Sequence, residues 1–204
     1  GAQMNDLTGQ SIAGYPIEKP AGRGSYYESY QAATSAAPLI IKVLVPELRA
    51  AKSLGNLVVK GWEAARTVVH PNLVTIFGTG LDANVGVYCL QEVVAGKSLR
   101  QMILGGPKVA WRDCIILAEQ LLAGLQALHS AGKVHGEVST LNVIITQDQD
   151  LKLEGAGGLV FADGPMLDFL DGPAVGYLAP ELVHGCPPSV EADIYGLGSS
   201  LYFI

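Results

Sequence analysis

KVHGEVSTLNVII, residues 133–145, is the stretch on which the fold turns. It sets a loop of polar residues, from His135 to Asn142, directly before an apolar run. That run, NVIIT (142–146), is rich in β-branched residues and reads as a short strand. The polar turn QDQD and a second run, LKLE (151–154), complete a strand pair. Upstream, WRDCIILAEQLLAGLQALHSAGK (111–133) repeats apolar residues at helical spacing. The spacing predicts one helix with Ile115, Leu117, Leu121, Leu122, Leu125 and Leu128 along a broad face, and Gly132 as its C-terminal stop.

Further out, the first third of the chain reads as strands. PLIIKVLV (38–45), LVTIF (73–77) and GVYCLQEVV (86–94) are short and apolar. NLVVKGWEAARTVV (56–69) predicts a helix stopped by His70-Pro71. SVEADIYGLGSSLYFI (189–204) predicts a final helix with Ser189 as N-cap. The order is a strand-rich part with one helix, a linker, then a helical part carrying a strand pair.

Composition narrows the class. The 204 residues are 49% hydrophobic and 16% charged, which excludes a disordered chain. Net charge is -6 with scattered Lys and Arg, so no nucleic-acid partner is expected. Cys89, Cys114 and Cys186 are odd in number and far apart, which fits a reducing compartment and no zinc site. No apolar run is long enough to span a membrane.

Eight motifs in order resemble the protein kinase superfamily, closest to bacterial Ser/Thr protein kinases. YPIEKPAGRGSYYESYQA (15–32) resembles the glycine-rich loop, with Gly22 and Gly24. LIIKVL (39–44) places Lys42 at the phosphate-pairing lysine, and HPNLV (70–74) matches the turn after the helix. CLQEVVAGKSL (89–99) resembles the hinge, with Gln91 as gatekeeper. HGEVSTLN (135–142) resembles the catalytic loop, LKLEGAG (151–157) the D-F-G strand and turn, and APE (179–181) stands unchanged. EADIYGLGSSLY (191–202) resembles the helix whose Asp, here Asp193, braces the catalytic loop. The resemblance implies an α+β, bilobal fold: a β-rich N-lobe at about 10–94, a hinge at about 92–97 and a C-terminally shortened helical C-lobe at about 98–204. It implies structural roles for His135, Asp193 and Glu181.

The resemblance also shows what has changed. Kinase catalysis is positioning plus electrostatics, with Mg²⁺ held by the D-F-G Asp and the loop Asn. Counted from Asn142 at the family's spacing, the D-F-G Asp falls on Gly155, so no carboxylate remains at the principal metal position. Adjacent strand residues point to opposite faces, so Glu154 is expected to aim away from the cleft. Glu137 replaces the catalytic Asp; its extra methylene displaces the oxygens by roughly 1 Å, which can cost about 10²-fold in rate. Ser139 replaces the lysine that steadies the transferring phosphate. Tyr27 stands at the third loop glycine, Ser29 at the apolar lid and Ile40 at the small Ala of V-A-I-K, where with Ile144 it narrows the slot. The helix partner of Lys42 falls on Gly61, while Glu63 lies on a different helix face.

Gly22, Gly24, Lys42 and Asn142 are therefore expected as vestiges of a nucleotide site, with no catalytic residue, no bound metal and no required cofactor. A phospho-switch is missing as well. The segment 155–181 has Tyr177 as its only hydroxyl, and Gly136 replaces the receiving Arg. Its apolar residues Phe161, Met166, Leu167, Phe169 and Leu170 are expected to fold into the cleft or to dock a partner. The expected function is a catalytically inactive pseudokinase domain working on another protein as an interaction or allosteric module in bacterial signalling. It is expected in the cytoplasm, alone or as the cytoplasmic domain of a membrane-linked protein. The apolar end LYFI (201–204) needs cover, so self-association there is expected. Two alternatives stand beside this reading. One is a divergent, weakly active kinase using Lys42, Asn142 and Glu137. The other is a metal-independent ATP sensor using Lys42 and the backbone from Glu92 to Val94.

Overall fold

A computed structural model describes residues 6–106, 109–157 and 172–204. Six strands form one antiparallel sheet: β1 (Ser11–Ile12), β2 (Tyr15–Arg23), β3 (Tyr27–Ala32), β4 (Leu39–Leu44), β5 (Ile76–Asp82) and β6 (Gly86–Glu92). Their order is β1-β2-β3-β4-β6-β5. A short helix α1 (Pro46–Arg49) and a longer one, α2 (Lys52–Arg66), connect β4 to β5.

Strand periodicity assigns the two faces of β4. Leu39, Ile41 and Val43 enter an outer cluster with Ile12, Ile17, Tyr30 and Val85. Ile40, Lys42 and Leu44 alternate with them. Leu44 packs under α2 with Tyr27, Val58 and Trp62, while Ile40 and Lys42 line the cleft. Lys42 is thus placed by the pleat that buries its neighbours.

The second half begins with β7 (Gly96–Ser98) and α3 (Leu99–Gly105), followed by α4 (Trp111–Ser130). Strands β8 (Val143–Thr146) and β9 (Leu151–Leu153) join β7 in a three-stranded sheet. The short helices α5 (Gly172–Val175) and α6 (Pro180–Val183) precede α7 (Val190–Tyr202). This is the α+β, two-lobed arrangement expected. None of the described helices is long and apolar enough to cross a membrane.

Several boundaries differ from expectation. Helix α2 runs over 52–66, not 56–69, because Leu54 and Gly55 bury in its first turn while the chain leaves the helix at Thr67. The expected strand 73–77 divides. Leu73 bridges to Leu153 and Val74 donates to the Leu153 carbonyl, so these two join the lower sheet and β5 starts only at Ile76. Helix α4 buries Leu117, Leu121, Leu125 and Leu128, but Ile115 and Leu122 are exposed, which corrects the broad face to a narrower stripe. The C-terminal stop at Gly132 does form: Gly132 and Lys133 donate to the carbonyls of His129 and Leu128. Ser189 caps α7, its Oγ accepting from Ala192 N–H at 3.1 Å. Helix α3 went unpredicted despite its capping box, in which Ser98 and Gln101 exchange side-chain and backbone bonds. The apolar residues 161–170 expected to fill the cleft lie outside the described residues.

Candidate functional site

Between the two lobes lies a cavity of about 750 Å³. The β2–β3 hairpin with Gly22 and Gly24 roofs it, Ile40 and Lys42 come from β4, and Gln91 to Val94 supply the back edge. Glu137, Asn142, Ile144, Glu154 and Gly155 come from below. Ile40 and Ile144 both line the space and leave it open.

Lys42 is 8% exposed, and its Nζ lies 2.6 Å from Glu154 Oε1. Gln91 Nε2 donates to the same carboxylate oxygen at 2.8 Å. Glu154 therefore faces into the cleft, which overturns the expectation that it aims away. The reason is strand phase. Leu151 and Leu153 are buried on one face, and Lys152 and Glu154 share the other, where Lys152 Nζ meets Glu92 Oε1 at 2.6 Å. Gly155, at φ +95°, takes the chain out of that phase, so counting alternation back from it gives the wrong side. Burial opposes the charge of both partners. The pairing wins: Glu154 holds the Lys42 ammonium above its ordinary range, and Lys42 with Gln91 holds the Glu154 carboxyl below its own.

Among the described residues, the helix side of the cleft offers no carboxylate to Lys42. Glu63 instead accepts from Thr79 Oγ1 at 2.6 Å and from Arg66. Gly61 meets Gly157 backbone to backbone: a Cβ on Gly61 would lie 1.9 Å from the Gly157 carbonyl oxygen. Tyr27, buried from the roof, packs its ring at a tilt against Trp62 and places it 5.4 Å from Lys42 Nζ.

The loop 135–142 is tied from below. Asp193 is 1% exposed and accepts from the N–H groups of His135 and Gly136, both at 2.8 Å, while its Oδ2 lies 2.8 Å from His129 Nε2. Gly196 lets α7 approach, since a Cβ there would sit 2.5 Å from the Val138 carbonyl oxygen. His135 is buried, its Nε2 lies 3.0 Å from Glu154 O, and burial lowers its pKa. Asn142 Nδ2 donates to the Glu137 carbonyl at 2.9 Å, spanning the loop. Burial pushes the Glu137 carboxyl up to about 7, against the pull of Lys42 and Asn142.

Ser139 is 3% exposed and does not line the cleft. Tyr177 is also buried, its hydroxyl 2.6 Å from Thr140 Oγ1. Glu181 opens α6 half-buried, and its backbone carbonyl accepts from Cys186 N–H at 3.0 Å. The structure thus brings together Gly22, Gly24, Lys42, Glu137, Asn142 and Gly155 around one cavity, with His135 and Asp193 behind it. Sequence reasoning missed Glu154 and the part Gln91 plays with it. Period two in LKLE, counted from its buried leucines, held the signal.

A family model described as protein kinase domain matches residues 15–204. A probable serine/threonine-protein kinase of Clostridium acetobutylicum is 30% identical over 193 residues, covering 92% of this chain and 29% of that protein. The serine/threonine-protein kinase PkaB of Streptomyces coelicolor is 28% identical, over 92% of this chain and 47% of its own length. The chain thus spans less than half of these curated relatives. In structure, the kinase domain of Mycobacterium tuberculosis PknI superposes with a TM-score of 0.78 at 22% identity, over 96% of this chain and 73% of that one.

Proposed function

The chain belongs to the protein kinase domain family, and from that premise we propose that it is a pseudokinase, a domain that keeps the fold without phosphoryl transfer and acts on another protein as an interaction or allosteric module. One observation carries this reading. The cleft lysine is closed on Glu154 at 2.6 Å beside Gly155, where the family's chemistry needs a metal-binding carboxylate. A Mg²⁺–nucleotide does not fit these residues. Glu154 already serves Lys42 and Gln91, and position 155 offers no carboxylate to share a cation with Asn142. No metal and no obligatory cofactor enter the reading, and a cytoplasmic location goes with it.

The open cavity favours a second reading, a metal-independent ligand sensor, in which occupancy of the cleft sets the domain's affinity for its partner.

Incubation with γ-labelled ATP, Mg²⁺ or Mn²⁺ and generic Ser/Thr protein substrates tests the first reading. The expected result is no transfer to substrate or to the chain itself. Gly155→Asp alone is expected to stay inactive, because Glu137 and Ser139 remain. Transfer by the native chain that disappears in Lys42→Met would overturn the pseudokinase reading.

A further inference from the structure

The cavity is well filled with charge, yet almost all of it is internally spent. Three cationic side chains line it among the described residues: Lys19, Arg23 and Lys42. Lys42 holds Glu154 at 2.6 Å. Arg23 holds the fully buried Glu28 at 2.8 Å and Glu47 at 3.2 Å. Lys19 is solvent-exposed. Among the described residues the lining carboxylates are Glu92, Glu137 and Glu154. Glu92 is paired with Lys152 and Glu154 with Lys42, and burial pushes the Glu137 carboxyl up to about 7. Among the described residues the charges of the inner cleft are therefore close to balanced without any ligand.

An anion entering under the roof would meet two obstacles on the way to Lys42. The Tyr27 ring stands 5.4 Å from the ammonium on one side. The Glu154 carboxylate occupies the ammonium on the other, and Gln91 fastens that carboxylate at 2.8 Å. Displacing Glu154 would leave a half-buried carboxylate beside a polyphosphate, which is repulsive at low effective dielectric. No carboxylate at Gly155 is available to recruit a compensating metal.

The rest of the lining suits a different occupant. Ile40 and Ile144 supply apolar surface, and Ser29 supplies an uncharged hydrogen-bonding group beside Gln31 and Gln101, whose amides keep one end for a ligand after bonding Glu18 and the Ser98 backbone. A cavity of about 750 Å³ lies within the size range of sites for small organic ligands. We infer that Glu154 is a resident counter-ion which, with Tyr27, sets the cleft's specificity: the site takes an uncharged, hydrogen-bonding ligand of nucleoside size and rejects the corresponding triphosphate. This inference rests on reading the cleft as a ligand site that does no chemistry.

Adenosine and ATP serve as the probe pair, titrated calorimetrically into the intact chain in EDTA. Adenosine is expected to bind at least about 10-fold more tightly than ATP. In Glu154→Gln, Lys42 loses its counter-ion, and ATP affinity is expected to rise at least about 10-fold while adenosine affinity moves less than about 3-fold. The wild-type comparison stands by itself if that variant fails to fold. ATP binding in EDTA as tightly as adenosine, binding of neither up to millimolar concentration, or a folded Glu154→Gln with unchanged ATP affinity would each overturn the inference. None of these outcomes touches the pseudokinase reading, which falls only to metal-dependent phosphoryl transfer.

Discussion

Glu137 and Glu154 face one cleft with opposite electrostatic histories, and the difference is measurable. Burial raises Glu137 to about 7 from 4.5. Between those values the folded chain keeps a proton that the unfolded chain has released, so stability falls as pH rises through that window. The loss is complete a little above pH 7. Glu154 is shifted the other way by Lys42 and Gln91, so its contribution is present above the ordinary carboxylate range and is lost as pH falls below it. The two windows do not overlap. Glu137→Gln, which imitates the protonated acid, is expected to flatten the decline between pH 5 and 7 and to leave the domain about 1–3 kcal/mol more stable at pH 8. Urea titrations at pH 5, 6, 7 and 8 read this directly, and parallel wild-type and variant profiles would count against it. At this scale the sequence was half legible. Motif order identifies the positions of Lys42, Glu137 and Gly155. The partner that Lys42 takes depends on which way one side chain leaves a strand end, and Gly155 breaks the phase there.

Helix α2 is anchored at a point where nothing but glycine fits. Gly61 and Gly157 touch backbone to backbone, and a methyl group on Gly61 would lie 1.9 Å from a carbonyl oxygen. Gly61→Ala gains about 1 kcal/mol of helix propensity. Against that stands overpacking of about 1–3 kcal/mol, here against backbone that has no rotamer to yield. The net effect is expected to be destabilising, with a fall in Tm of a few degrees at roughly 2–4 °C per kcal/mol. Gly198 in α7 provides the control, since a Cβ there meets nothing within 4 Å. Gly198→Ala is expected to hold or raise Tm by the same propensity term. Equal shifts for the two variants would remove the close contact from the explanation. Elements with their own periodicity, such as β4, β6, α4 and α7, were readable from local pattern. Helix α3 was hidden in a short segment, and the split of residues 73–77 follows from pairing with Leu153, about eighty residues away in sequence. Local pattern carries no record of such a pairing.

Across the whole molecule, the lobes are fastened at the back of the cleft by two ion pairs, Lys42–Glu154 and Lys152–Glu92, both at 2.6 Å. Each joins the six-stranded sheet or its edge to the β9 segment. Glu92 also accepts from Thr75 N–H at 2.7 Å, and Ile76 packs on the apolar clusters of both lobes. The motif order revealed that two lobes exist, but not that they are clasped, because each clasp joins residues from distant strands. Partly buried pairs resist salt better than surface ones, so the clasp is expected to survive moderate ionic strength. The double variant Lys152→Met, Glu154→Gln removes both links while leaving the outer cluster around Ile41 intact. Amide hydrogen exchange at residues 73–76, 91–96 and 151–155 is expected to quicken about 10-fold, the equivalent of about 1.4 kcal/mol of sub-global opening. Exchange in β3 and in the outer half of the sheet is expected to stay unchanged. Uniform acceleration everywhere would mean that the pairs stabilise the fold globally. No acceleration would leave Ile76 and its apolar neighbours as the true clasp, with the ion pairs serving only to set the charge of the cleft.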